Sequence, residues 1–593
     1  MKDSEIQENY HWDLSHLFAN DEEWEMAFKT TRDKAISLKE FKGQLLESPE
    51  KLYQAIQNRE EVFRMLENVL VYANLKRDEN TKNPIYQGIA SRAEKLWTEI
   101  EEIGAFFIPE ILSEEYDIVK KMLTYPDLKI YEQFFEDLFR RKEHTLSEEM
   151  ESVLAKAGEL GGIPSNTYSM LLNADMTFED AIDSKGKAHK LTNASYIPLL
   201  MSSDRKLRQD AFEKYYKVYG GHINTIASLM QGEVDKNIFF SKMRQHPSPR
   251  EAALFENNIP NTVPDQLIEA VNNNLDVFYK YMRLRKKVLG LEELHLYDIY
   301  TPIIPDVDFD ISYDEAKNMV IDSLKVLGKD YQDIIRSAFD ERWIHVYETE
   351  GKRSGAYSSG TYDSKPYILL NHKDNLDSMF TLTHELGHSI HSYLTWKNQP
   401  YVYGDYSIFV AEVASTTNEA ILNDYLIKNI DDQEKKKYIL NHYLEQFRGT
   451  VFRQTMFAEF ERDIHDHVEK GQALTAEFLC DHYLSLNKKY FGPDVVIDDD
   501  IKYEWSRIPH MYYNFYVYQY ATGFSAAIAL SNRILKEGES AVKDYIEFLS
   551  SGSKDYPINV LRKAGVDMET ETPVNNALSV FKSAVDELES LLI

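Results

Sequence analysis

A single cysteine, Cys480, in a chain of 593 residues excludes an intrachain disulfide and gives no support to an oxidising compartment. Beside Phe478 and Leu479 it reads as a small buried hydrophobe. Glycine and proline are also scarce, 24 and 18 in the whole chain, so little interrupts long helices. No stretch approaches the ~18 uncharged apolar residues of a membrane span. Basic residues are in deficit, 67 against 98 acidic ones, for a formal charge of −31. Such a surface repels phosphate backbones and anionic lipid, so neither a nucleic-acid nor a membrane partner is expected. The opening stretch from Met1 to Trp12 has no apolar core behind a basic start, and a cytoplasmic protein is the expectation. Fixed-period repeats of about 20 to 50 residues and low-complexity tracts are absent too, so a solenoid is not supported.

What is present is an ordinary globular balance, 43% apolar and 28% charged, in a chain long enough to bury a large core. Apolar residues recur at three and four positions through long stretches, so the fold class is mainly α. From Lys51 to Lys76, Leu52, Ile56, Phe63, Leu66, Leu70 and Ala73 form one stripe. A second helix runs from Asp204 through Leu207, Ala211, Phe212, Tyr215 and Val218. Breaks are expected at Gly161-Gly162-Ile163-Pro164, at His246-Pro247-Ser248-Pro249 and near Pro302 to Pro305. The clearest strand signal lies between Ser354 and Asn371, where Tyr357, Thr361, Tyr362, Tyr367 and Ile368 are flanked by glycine, aspartate and proline. A hairpin or edge segment is predicted there.

Immediately afterwards comes His384-Glu385-Leu386-Gly387-His388, on a helix predicted from Asp377 to Trp396. Residues four apart lie one turn above each other, so both imidazoles project from one face and can share an ion. Zinc suits nitrogen and oxygen ligands at ~2.0–2.2 Å, and one ion per chain is expected. Glu385, turned about 100° from His384, flanks that ion as a general base for a water. Gly387 is a poor helix former, which points to close approach by another backbone. Leu382, Leu386 and Ile390 mark the helix as largely buried. A third ligand is needed. His391 stands about 10.5 Å along the axis from His384, too far to share the ion, and is read as a supporting or packing residue. Glu412, 24 positions after His388 in the apolar run from Ser407 to Ser415, is the better candidate: buried unpaired it would be costly, and a metal satisfies it. Glu419, seven residues on, lies near the same face and either supports a ligating histidine or is an ordinary exposed glutamate.

These motifs, His384 to His391 and Phe409-Val-Ala-Glu412-Val-Ala-Ser415, resemble the oligoendopeptidase F family of the thimet oligopeptidase-like superfamily. The resemblance extends to Trp12-Asp-Leu-Ser-His-Leu-Phe18, to Gly355-Ala-Tyr-Ser-Ser-Gly-Thr-Tyr-Asp363 and to Tyr512-Tyr-Asn-Phe-Tyr-Val-Tyr-Gln-Tyr-Ala-Thr-Gly523. It implies an elongated, two-lobed helical molecule with a deep channel and a small sheet beside the metal helix, divided into a lobe at 1–200 and a catalytic domain at 201–593. It also implies that His384, His388 and Glu412 hold zinc and that Glu385 is the base. Short peptides would be the substrates, with no obligate protein partner evident. The tyrosine-rich segment places Tyr513, Tyr516 and Tyr520 near one helical face, where phenols serve either as core or as oxyanion donors. The family pattern, a histidine followed by tyrosines, assigns the catalytic part to His510, Tyr513 and Tyr520, with Tyr512 or Tyr516 able to hold either role and to bind substrate. By the same resemblance Gly355, Ala356 and Tyr357 pair with substrate backbone as an added strand.

The resulting expectation is an endopeptidase in which a metal-activated water attacks the peptide carbonyl and Glu385 carries its proton to the leaving amine. A peptidyl-dipeptidase or carboxypeptidase needs a fixed charge that sequence cannot place. A non-catalytic peptide binder with structural zinc would close all four metal positions, commonly with cysteines.

Overall fold

The computed structural model describes residues 6–304, 307 and 309–593. The fold is mainly α with small sheets, and by compactness the chain gathers into two units. One comprises Met1–Glu143, Phe309–Tyr425 and Leu530–Gly565; the other comprises His144–Asp308, Leu426–Ala529 and Val566–Ile593. These units interleave along the chain, whereas lobes at 1–200 and 201–593 divide it once. Among the described residues no helix is long and apolar enough to cross a membrane.

The first unit opens on a helical pair, α1 (Pro49–Glu79) and α2 (Pro84–Gly104). Each starts with proline at the first helical position behind a side-chain cap, Ser48 accepting from the Lys51 N–H and Asn83 from the Ile85 N–H. The expected stripe of α1 is buried at Leu52, Ile56, Phe63, Leu66 and Ala73, with Val62 and Val69 beside it and Leu70 at its margin. Ala90, Ala93 and Leu96 of α2 meet that stripe, and Trp12, Trp24, Tyr367 and Leu369 complete the cluster.

Next come strands β1 (Ile344–Tyr347), β2 (Tyr357–Ser359) and β3 (Tyr367–His372) in the order β1-β3-β2. The expected hairpin is present: β2 runs antiparallel to β3, with Tyr357 opposite Leu369 and Ser359 opposite Tyr367, while β1 is parallel to β3. β3 is buried along most of its length and β2 is an edge. The chain then turns into α3 (Leu376–Asn398), followed by α4 (Ile408–Asn429). The cap of α3 is Asn375, two residues before the expected Asp377, and its side-chain Oδ1 accepts from the Ser378 N–H at 2.9 Å.

In the second unit the expected helix spans Arg205–Gly221, with Asp204 accepting from two first-turn N–H groups. Breaks fall at Gly162 and ahead of Pro249 as expected; Pro305 lies outside the described residues. Helix α6 (Tyr518–Glu537) takes up the second half of the tyrosine-rich segment, α5 (Arg453–Glu469) lies earlier in the same unit, and Cys480 is buried.

Candidate metal centre

Leu382, Leu386 and Ile390 bury one side of α3 completely, which turns His384 and His388 to the other. Their Nε2 atoms lie 3.1 Å apart. Glu412 brings Oε2 to 3.2 Å from the first and 3.5 Å from the second. A tetrahedral ion with bonds of ~2.0–2.2 Å needs ligand separations of about 3.3–3.6 Å, close to what the three atoms present. Among the described residues no other group of three or more His, Cys, Asp or Glu side chains is so placed.

The chemistry of the donor set fits a cation as well. His384 Nδ1 stands 2.6 Å from Glu419 Oε1, so its N–H donates to that carboxylate and Nε2 is the nitrogen that would meet a metal once its own proton is displaced. Burial lowers the His384 pKa, but the hydrogen bonds to Glu412 and Glu419 outweigh it and carry the group to about 10. Hydrogen bonds from His384 and His388 hold the Glu412 carboxyl well below the usual range. A pocket that retains a proton on a half-buried imidazole is one that attracts positive charge, and a divalent metal answers that demand with more charge than a proton.

Gly387 explains how Glu412 reaches the histidines. A Cβ there would lie 2.5 Å from Ser415 Cα and 2.9 Å from Ser415 N, so the glycine lets the α3 and α4 backbones touch. Glu412 itself corrects the burial expected from its apolar surroundings: its side chain is 56% exposed, because Val413 and Ala414 take the buried face of α4. The Ser415 hydroxyl, 3.2 Å from Glu412 Oε2, helps orient it.

Glu385 is 7% exposed, and its Oε2 is buried without a hydrogen-bond partner. Burial raises its pKa, which makes it a stronger base than an open carboxylate. His391 is buried and stacked on Tyr406 at 3.7 Å, and burial lowers its pKa to about 3. It packs outside the trio.

The edge strand is tied to α3 by Ser358, whose hydroxyl lies 2.8 Å from that of Ser389. Gly355 takes φ +87°, and its carbonyl accepts from Asn371 at 2.7 Å. Ala356 joins it on a cavity of about 250 Å³ with Ser378 and Thr381 of α3. The Tyr357 side chain turns into the core and donates to Asp78 at 3.0 Å, so its free chemistry is that of its backbone.

In the second unit, His510 and Tyr520 approach to 3.3 Å between Nε2 and the phenol oxygen. The His510 ring lies 5.5 Å from that of Tyr513 and 6.5 Å from that of Tyr516. Tyr513 is 55% exposed, whereas Tyr512 is buried against Tyr168 at 4.3 Å. The single helical face expected for these tyrosines is not formed. α6 starts at Tyr518, and Asn514 (φ 40°) and Phe515 (φ 55°) are left-handed. Glu461 of α5 stabilises that turn by accepting the Phe515 N–H at 2.6 Å. It is 1% exposed, and burial pushes its carboxyl up to about 8.

Comparison with known proteins gives this geometry a family. The pattern of peptidase family M3 matches residues 199–580, and that of oligopeptidase F matches residues 110–178. The chain belongs to peptidase family M3. It is 47% identical to oligopeptidase PepF of Bacillus subtilis, across all of this chain and 88% of the relative. It is 44% identical to group B oligopeptidase PepB of Streptococcus agalactiae, across 99% of this chain and 98% of that one. The crystal structure of oligoendopeptidase-F from Enterococcus faecium superposes with a TM-score of 0.71 at 38% identity, over 96% of this chain and 99% of that one.

Membership in family M3 makes the chain a metalloendopeptidase. Some partners of the candidate residues and of the segments around them escaped sequence reasoning. Ser415 sits three positions after Glu412, a spacing that puts it beside the carboxylate on α4 and that the motif alone could have suggested. Ser358, Tyr406 and Glu461 carry no such local signal, since their partners are distant in sequence.

Proposed function

We propose that the chain is a zinc-dependent endopeptidase that cleaves internal bonds of short oligopeptides, with one zinc ion held by His384, His388 and Glu412. The observation that carries the reading is the convergence of two Nε2 atoms and one carboxylate oxygen at separations of 3.1, 3.2 and 3.5 Å. The names of the relatives, oligopeptidase and oligoendopeptidase, favour short peptides as the substrate class. When bound, zinc supplies Lewis acidity, lowering the pKa of a water and polarising a carbonyl.

The protein's own groups do the rest. Glu385 Oε2, buried and without a partner, takes the proton of the attacking water and returns it to the leaving amine. Glu419 holds the His384 tautomer that keeps Nε2 free. Edge strand β2, reached through Gly355 and Ala356, aligns substrate by backbone pairing, which gives broad sequence tolerance. His510, Tyr513 and Tyr520 take the part of neutral donors to substrate and to the developing oxyanion, a reading supported by the family motif and by their mutual approach. A charge of −31 favours no nucleic-acid partner, and a lone buried thiol fits a cytoplasmic setting.

Glu385→Gln tests the assignment: it should retain zinc by elemental analysis while turnover of a peptide blocked at both ends falls by several orders of magnitude. Near-normal hydrolysis by that variant would sink the role given to Glu385.

A further inference from the structure

A second cavity, of about 440 Å³, lies in the first unit and falls in the ~300–1,000 Å³ range of small-molecule sites. Arg59 lines it from α1, with its guanidinium stacked at 4.5 Å from the Phe63 ring and 5.3 Å from that of Phe107. Among the described residues it has neither hydrogen bond nor ion pair, and burial lowers its pKa. An arginine held between two aromatic faces with its donors unspent is the missing half of a carboxylate site.

Three carboxylates share the cavity, and each already has a donor. Glu67 accepts from the Tyr401 hydroxyl, Glu60 from Gln57 at 3.3 Å, and Asp405 from the Tyr406 N–H at 2.8 Å. A carboxylate has about four acceptor positions, so all three retain capacity for an ammonium. Three negative charges against one positive disfavour a simple anion and favour a ligand that carries both signs. Trp396, Phe134 and Val402 supply apolar walls for side chains. Trp396 is eight residues beyond His388, the nearer histidine of the trio, about 12 Å along α3, so the cavity is separate from the metal trio.

We propose that this cavity binds a short peptide with free termini, of about dipeptide size, its carboxylate on Arg59 and its ammonium among Glu60, Glu67 and Asp405. The site stands on these contacts alone; the proposed peptidase activity adds only that its products carry both charged ends.

The test is hydrogen exchange on the zinc-loaded full chain with leucyl-phenylalanine, its C-terminal amide and inorganic phosphate as separate probes. The free dipeptide should protect residues 360–362 and 401–405, and the amide should bind roughly tenfold or more weakly. Arg59→Met should lose the protection and Arg59→Lys should weaken it. The amide comparison needs no variant, so a misfolded Arg59→Met leaves the test intact. Equal protection by the amide, protection confined to residues 384–388 and 408–412, persistence in a folded Arg59→Met, or no protection would overturn the proposal. Equal protection by phosphate would overturn the assignment to a peptide.

Discussion

At the scale of single residues, the centre depends on a carboxylate that touches no metal. Glu419 fixes His384 through Nδ1, and Glu419→Gln should weaken zinc affinity about 10–100-fold, measured by competition with a chromophoric chelator. Unchanged affinity would reduce Glu419 to an ordinary helix-surface residue. His384, Glu385 and His388 were legible because helical spacing alone puts two imidazoles on one face with a carboxylate beside them. Glu412 was legible as an acid in an apolar run, but its exposure was not: sequence shows which residues are neighbours along α4, not which side of it faces the core. Only the fold chooses between the two readings of Glu419.

Between elements, the contact of α3 with α4 is decisive. Gly387→Ala places a methyl group against Ser415 backbone, so the helices must part. A loss of about 1–3 kcal/mol in stability is expected, together with weaker zinc binding, measured by thermal unfolding with and without zinc. A variant that is as stable and as zinc-avid as the parent would show that the two backbones need not touch. The turn before α6 carries a pH signature. Glu461 titrates near 8 in the fold but at ~4.3 unfolded, so between those values the native chain holds a proton that the unfolded chain releases. Stability from this group is therefore complete at low pH and is lost as pH rises through about 8. Glu461→Gln keeps an acceptor for the Phe515 N–H without the titration, and its melting temperature relative to the parent should climb as pH rises. A difference constant with pH would contradict the buried, protonated carboxyl. The long helices were readable because periodicity and caps act locally. The turn was not, because a long-range bond to Glu461 stabilises two left-handed residues inside a helical-looking run.

For the whole molecule, the α-rich architecture follows from composition and periodicity, and the family from motifs spread along the chain. How the chain gathers into two interleaved units was not readable, since each draws on three separated segments. In the function proposed above, a metal held by His384, His388 and Glu412 powers cleavage inside short peptides. The most direct measurement is mass spectrometry of products from a mixed-length peptide library, blocked at both ends, with parent protein as prepared, after chelation, and after zinc is restored. Internal cuts confined to short peptides, abolished by chelator and recovered with zinc, are the predicted result. Cleavage that survives complete metal removal, or no cleavage by the zinc-loaded protein, would contradict it.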